Sequence, residues 1–155
     1  MIHWTIHPFQ ELSPVAIHAM YKLRVDVFVV EQTCPYPEVD DADLTALHVL
    51  GHDETAEVIA YARILPTGPD GLPHIGRVVV HPDHRGHGLG HRLMQEVLDR
   101  IHALSGSSRA ALAAQQHLQG FYERHGFVRA GPAYTMDGIA HVDMVRDERD
   151  LSVKA

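Results

Sequence analysis

The stretch that decides the fold lies near the middle of the chain, where residues 78–90 read VVVHPDHRGHGLG. Three consecutive valines are typical of a strand that is buried on both faces of a sheet. Three glycines within five residues follow, and after them apolar residues recur at helical spacing as far as Leu104. The segment therefore predicts a strand, a glycine-rich turn and a long helix.

Glycines between a strand and a helix are typical of an anion site. They let successive backbone N–H groups converge on a phosphate at the positive end of the helix. Arg85, His84 and His87 add charge nearby. A Walker-type loop needs Lys-Ser or Lys-Thr after the last glycine, and a dinucleotide loop needs G-x-G-x-x-G near the first strand; neither is present. The prediction is a phosphate loop of another type, and the alternative is a tight turn without a ligand.

Before this segment, the pattern predicts a strand at residues 2–7 and a helix from Ser13-Pro14 to about Glu31. An apolar stripe on that helix is expected to face the core, and it consists of Ile17, Met20, Leu23, Val27 and Val30. Residues 31–43 carry five acids and two prolines without Lys or Arg, which predicts an irregular acidic loop. Strands are expected at residues 47–51, 58–65 and 75–80.

After the long helix, the pattern predicts a strand at 109–114, a helix at 118–125 and a closing hairpin from 127–134 and 139–145. The elements together indicate one α+β domain with a mixed sheet over residues 1–155, with a loose tail at 147–155.

Composition excludes several classes of protein. The chain has 155 residues with 13 Lys and Arg against 20 Asp and Glu, a net charge of −7 that speaks against nucleic acid or an anionic membrane as partner. A single cysteine, Cys34, excludes an intrachain disulfide. The first residues lack a signal region and no apolar run is long enough to span a membrane. These features predict a cytoplasmic protein.

Two spaced motifs carry a family resemblance. R-x-x-G-x-G, present as Arg85, Gly88 and Gly90 after the valines, resembles the GNAT superfamily of acyl-CoA-dependent N-acetyltransferases. Residues 115–127, QQHLQGFYERHGF, are similar to the later helix of that superfamily, which ends in F-Y-x-x-x-G-F. Residues 24–36 and 137–141 look like the ElaA-type branch.

The resemblance implies a fold, a cofactor and its contacts. The fold is a central, mostly antiparallel mixed sheet with one splayed strand pair and flanking helices. Acetyl-CoA is the acyl donor. The strand at residues 78–80 contacts its pantetheine arm, and residues 85–90, here called the glycine loop, contact its pyrophosphate. The implied contacts are Val78, Val79, Val80, Arg85, Gly86, His87, Gly88, Leu89, Gly90 and Gln115. Gln115 stands where the superfamily often has Asn.

The implied reaction is acetyl transfer to a primary amine by direct attack in a ternary complex. The acceptor is a small amine or a peptide amine, and a homodimer is plausible by resemblance. Tyr122 stands where the superfamily often places a general acid, the alternative being a packed aromatic residue. Glu31 and His48 are the candidate general bases. The competing function is a non-catalytic module that binds or senses acyl-CoA.

Three further groups of residues are candidates for a role. The acids Glu38, Asp40, Asp41 and Asp43, with Glu31, would make the acceptor side electronegative if their loop folds over the slot, or they form an ordinary solvated loop. Asp137 and His141 are expected to close the opposite wall by resemblance. Four histidines lie between His81 and His91, but a helix starting among them would scatter their rings, so no metal is expected.

Overall fold

The computed structural model describes residues 1–147, so the predicted loose tail lies, except for Asp147, outside the described residues. One eight-stranded mixed sheet carries helices on both faces, as the sequence predicts. Its strands are β1 (His3–Pro8), β2 (Leu47–His52), β3 (Val58–Leu65), β4 (His74–Val80), β5 (Ala110–Gln115), β6 (Phe127–Arg129), β7 (Tyr134–Met136) and β8 (Ile139–Arg146). The helices are α1 (Pro14–Arg24), α2 (Leu89–Ser105) and α3 (Gln119–Glu123).

The strand order is β1-β2-β3-β4-β5-β8-β6, and β7 pairs with β8 beside this path. Every pairing is antiparallel except that of β4 with β5, which is parallel. The connection from β4 to β5 runs through α2, because parallel neighbours need a long crossover. The sheet therefore has two antiparallel halves that meet at β4 and β5.

The first helix starts as the sequence predicts but changes its winding. The Ser13 hydroxyl accepts the Ala16 N–H at 3.1 Å and caps α1. After Arg24 the chain continues as a π-helix over Val25–Glu31. A π-helix advances each residue through a smaller angle, so the stripe rotates, and Val30 is 64% exposed. The prediction that Val30 faces the core is wrong for this reason.

The two faces of the sheet have separate cores. Alternate residues of a strand point to opposite faces, so Tyr61 of β3 packs toward α1 while its neighbours Ala60 and Ala62 pack toward α2. Met20 and Leu23 of α1 are buried on the first face. The α2 side is the larger core and contains Leu93, Met94, Val97, Leu98 and Ile101. Leu104, the last apolar residue of the helical spacing predicted for α2, is exposed at the helix end.

The halves of the sheet splay apart between β4 and β5. Only His74 with Ala111 and Ile75 with Leu112 are in register there. A β-bulge also bends β4: between its pairs with Arg63 and Tyr61, β3 advances two residues while β4 advances three. The extra residue allows Arg77 a φ of 54°. The strands therefore diverge beyond Ile75.

No described helix is long and apolar enough to cross a membrane.

Candidate active site

A cavity of about 970 Å³ fills the gap between the diverging strands. One side consists of β4 and the glycine loop that follows it. The other side consists of Leu112, Ala113 and Gln115 of β5, together with Tyr122 of α3. A third group of lining residues, here called the far wall, comprises Cys34, Tyr36, Asp137, Ile139 and His141. The predicted cofactor side and the predicted opposite wall thus face one space.

The glycine loop has the geometry of an anion site. Gly86 and Gly88 have φ angles of 84° and 78°, a conformation that side-chain-bearing residues rarely adopt. Gly88 precedes α2 without a side-chain cap, so the first N–H groups of this 17-residue helix are available to a ligand. At Gly90 the missing side chain allows close packing, since a Cβ there would lie 3.2 Å from the Phe121 ring.

The edge of β4 that faces the gap offers backbone groups. Val79 and Val80 pair with Tyr61 and Ala60 of β3 on one edge. On the other edge, pairing with β5 ends at Ile75, so the backbone from residue 76 onward faces the cavity. Val78, Val79 and Val80 all line it. This edge can accept an extended, amide-bearing chain as if it were an added strand.

Arg85 connects the glycine loop to the end of the first helix. Its Nη1 and Nη2 donate to the Glu31 carboxylate at 2.7 and 2.9 Å, and its Nε donates to the Val80 carbonyl at 3.1 Å. The guanidinium holds the pKa of the Glu31 carboxyl below its usual value. Glu31 is therefore an ionised partner of Arg85, which does not favour it as a general base.

Residues 31–34, here called the strap, reach across the gap. Glu31 binds Arg85 on the β4 side. The amide side chains of Gln32 and Gln115 lie within hydrogen-bonding distance, 3.2 Å for the closer pair. The Cys34 thiol donates to the Asp137 carbonyl at 3.2 Å. The strap thus contacts both halves of the sheet beside the cavity.

Tyr122, the predicted general acid, is a buried residue of the cavity wall. It lines the cavity and is 6% exposed, and its ring packs edge to face against Phe121 at a centroid distance of 5.0 Å. Burial raises the pKa of its phenol well above the usual value, so the hydroxyl stays protonated at neutral pH.

His87 is exposed on the glycine loop and does not line the cavity.

Most acids of the acidic loop are paired with arginines. Three of its acids bind three arginines, in what is here called the arginine network: Arg24, Arg63, Arg77, Glu38, Asp40 and Asp43. Arg24 is completely buried, and its Nε lies 2.9 Å from Glu38 while its Nη1 lies 2.9 Å from Asp43. The charges balance, because buried carboxylates require cationic partners. Asp41 stays exposed, and both sequence interpretations of the loop are wrong for Glu38 and Asp43.

His48 belongs to the support of this network and does not line the cavity. Its Nε2 donates to the Asp43 carbonyl at 2.8 Å, because a carbonyl only accepts. Its Nδ1 then accepts the Tyr61 hydroxyl at 2.6 Å. Burial lowers the pKa of this imidazole, which is neutral and has both nitrogens engaged. These contacts give His48 a structural role and do not favour it as a base.

Sequence reasoning missed two parts of the site. The partners Arg63 and Arg77 lie on strands 20 or more residues from their acids, and no local pattern marks such pairs. A surplus of acids without a nearby cation was the available signal. Nor does a side-chain pattern predict that His141 Nδ1 lies 2.7 Å from the Ile139 carbonyl.

Residues 1–147 contain no group of three or more His, Cys, Asp or Glu side chains placed to hold a metal ion.

Comparisons with known proteins agree with this geometry. The family model of the acetyltransferase (GNAT) domain matches residues 22–148. Protein ElaA of Escherichia coli is 41% identical over 150 residues, covering 95% of this chain and 97% of that protein. A crystal structure of ElaA has a TM-score of 0.87 at 40% identity and covers 95% of this chain and 100% of that one.

A second solved structure is equally similar. An acyl-CoA N-acyltransferase from Pseudomonas aeruginosa has a TM-score of 0.89 at 39% identity, again covering 95% of this chain and 100% of that one. A UPF0039 protein of Schizosaccharomyces pombe is 40% identical over 137 residues, which is 88% of this chain and 91% of that protein.

Proposed function

The chain belongs to the GNAT acetyltransferase family, and from this premise we propose that it transfers an acetyl group from acetyl-CoA to a primary amine. The observation that carries the proposal is the splay of β4 from β5, which opens a cavity directly beside the glycine loop and in front of Tyr122. The acceptor is a small amine or a peptide amine that reacts by direct attack in a ternary complex.

The described residues fit the CoA ester in two places. The amides of Gly86, Gly88 and Gly90 bind the pyrophosphate at the start of α2, where backbone N–H groups and the helix dipole favour negative charge. The open edge of Val78–Val80 binds the pantetheine amides. Leu89 and Gln115 complete the wall around it. The thioester then lies in the gap between the two strands.

The protein contributes a proton donor and orientation. As the amine attacks the thioester carbon, the C–S bond breaks and the sulfur gains negative charge, which the Tyr122 hydroxyl neutralises by donating its proton. General acid catalysis of this kind contributes about 10²- to 10⁴-fold in rate. Holding the amine and the thioester together in the cavity adds a further large factor, since it replaces a bimolecular encounter by an intramolecular one.

The first experiment measures cofactor binding by thermal unfolding, with NAD and ATP as control ligands. Saturation at about 100 times Kd stabilises the folded state by about 2.7 kcal/mol, which raises the midpoint by roughly 5 to 10 °C for a domain of this size. We expect the rise with acetyl-CoA only. No rise at millimolar acetyl-CoA contradicts the proposal.

The second experiment tests catalysis through Tyr122→Phe, with release of the CoA thiol as the measured product. We expect kcat to fall about 10²-fold while the thermal shift with acetyl-CoA is unchanged, because the ring packing is kept and only the hydroxyl is lost. Tyr21→Phe is the matched control, since its ring lies over Arg24 outside the cavity. Tight binding of acetyl-CoA without transfer to any amine indicates the acyl-CoA-binding module instead.

The cytoplasmic location and the homodimer remain predictions. The choice of acetyl over longer acyl groups is part of the proposal, and competition among acyl-CoA esters of increasing length in the transfer assay tests it.

A further inference from the structure

A transfer to an amine needs a group that takes the amine proton, and neither candidate base from the sequence is suitable. Glu31 is bound to Arg85 by two hydrogen bonds. His48 has both ring nitrogens engaged below the arginine network. His91, the third residue of α2, lines the cavity and has its Nδ1 2.9 Å from the His125 Nε2. The base must be sought elsewhere on the cavity wall.

His141 combines the features that such a base needs. It is 7% exposed and lines the cavity on the far wall, opposite the β4 edge. Its position at the start of β8 is fixed on both sides, because it is in register with Gln115 of β5 and with Tyr134 of β7. The Tyr134 ring stacks on the imidazole at a centroid distance of 6.1 Å and an angle of 23°. The imidazole is thus held in one orientation at the cavity.

The hydrogen bonding of His141 determines where its lone pair lies. Nδ1 is 2.7 Å from the Ile139 carbonyl, which only accepts, so Nδ1 carries the proton in the neutral ring. The lone pair is therefore on Nε2, the nitrogen that Ile139 does not engage. A backbone carbonyl that fixes the tautomer in this way is a common device for a histidine that accepts protons.

We propose that His141 is the general base of the transfer, with Nε2 accepting the proton of the attacking amine. The inference rests on the proposed function. The amine nitrogen bonds to the carbonyl carbon and loses one proton to His141 Nε2, while the C–S electron pair leaves with sulfur and Tyr122 supplies one proton to it. The products are the acetylated amine and the CoA thiol, and solvent returns one proton from His141 to Tyr122.

The elements next to His141 carry the ionisable side chains Tyr134 of β7, Asp137 of the β7–β8 turn, Cys34 of the strap and Asp143 of β8. Gln115 of β5 carries no charge. Burial and the hydrogen bond to Asp143 raise the pKa of Tyr134 to about 12, so the Tyr134 hydroxyl stays protonated near neutral pH. A proton on Nε2 removes the lone pair that the proposal requires, so we expect transfer to slow in acid.

The test compares His141→Asn with wild type, using 2-phenylethylamine, cadaverine, Nα-acetyl-lysine amide and an alanyl dipeptide as acceptors. Asn keeps a donor near the Nδ1 position for the Ile139 carbonyl and removes Nε2. We expect kcat to fall by about 10²-fold, the acidic limb of the wild-type kcat profile to disappear, and added imidazole to restore part of the rate. The thermal shift with acetyl-CoA stays as in wild type. The control is His18→Asn, an exposed position on α1.

Failure of this inference and failure of the proposed function give different results. Wild-type transfer with an equal kcat and the same pH profile in His141→Asn overturns the base assignment alone. Binding of acetyl-CoA by the wild type without transfer to any of the four amines overturns the proposed function and the base with it.

Discussion

Residues of the glycine loop and Arg77 of the arginine network line the same cavity, yet the two regions are built from different chemical groups. The loop offers backbone N–H groups, and its geometry depends on two glycines with positive φ. The network uses six charged side chains, of which Arg24, Glu38, Asp43 and Arg63 are at most 5% exposed. The loop therefore leaves backbone donors open to a ligand, whereas the network pairs its charges internally and ties Glu38, Asp40 and Asp43 to three arginines. We expect binding to depend on the first region and stability on the second.

The largest effect is expected from a substitution in the arginine network. Arg24→Met leaves Glu38 and Asp43 as buried carboxylates without their main cation, which costs about 3 to 5 kcal/mol of folding stability. For a domain of this size we expect the unfolding midpoint to fall by roughly 10 °C or more. Denaturant unfolding of the variant measures the loss.

The control is Lys22→Met, two residues earlier on the same helix. Lys22 pairs with Asp26 at 2.6 Å, but both side chains are more than half exposed. Solvent screens such a pair, so we expect no clear change in stability. Equal losses in the two variants would contradict the distinction between buried and exposed pairs on α1.

An intermediate effect is expected from a substitution in the glycine loop. Gly88→Ala and Gly71→Ala introduce a side chain at φ angles of 78° and 79°, in each case with no atom within 4 Å of the new Cβ. We expect similar losses of stability, about 1 to 2 kcal/mol, because the backbone strain is the same. Only Gly88→Ala should weaken acetyl-CoA binding, by about 10-fold or more, since its methyl group lies beside the amides that bind the phosphate.

Isothermal titration with acetyl-CoA checks this pair. Gly71 lies in the turn between β3 and β4 and does not line the cavity. If both variants bind acetyl-CoA like the wild type, the glycine loop is a structural turn, which is the alternative that its sequence left open.

The smallest effect concerns the ion pair between the strap and the glycine loop. Glu31→Gln removes the carboxylate charge opposite Arg85, but both side chains are 43% exposed, so we expect a loss of less than about 1 kcal/mol. The kcat for amine acetylation should stay close to the wild-type value. A general base at this position would instead cost about 10²-fold or more in kcat, and that result would restore Glu31 as the base.

The same contrast explains what the sequence could predict. The strand, loop and helix around residues 78–90 are consecutive, so their pattern is legible and α2 starts at Leu89 as expected. Tyr122, which lines the cavity, could be singled out from the sequence because it sits in a local motif. The arginine network was not predicted because Arg24 and Arg63 meet Asp43 only after the chain has folded. The lone pair on His141 depends on a backbone carbonyl two residues away, which no side-chain pattern records.

The π-helix shows a different limit. The apolar spacing of residues 17–30 predicts one continuous α-helix, and α-helical geometry would turn Val30 inward. The wider winding after Arg24 instead exposes Val30 and brings Glu31 to Arg85. Local propensity does not distinguish the two windings here, whereas the contacts at the end of the helix do.

The strap has a mechanical consequence for the sheet. Two residue pairs join the halves at β4 and β5, so a rotation of the halves would have this short line as its axis. The strap contacts both halves away from that line and would oppose such a rotation. We therefore expect the width of the cavity to depend in part on four residues that form no strand.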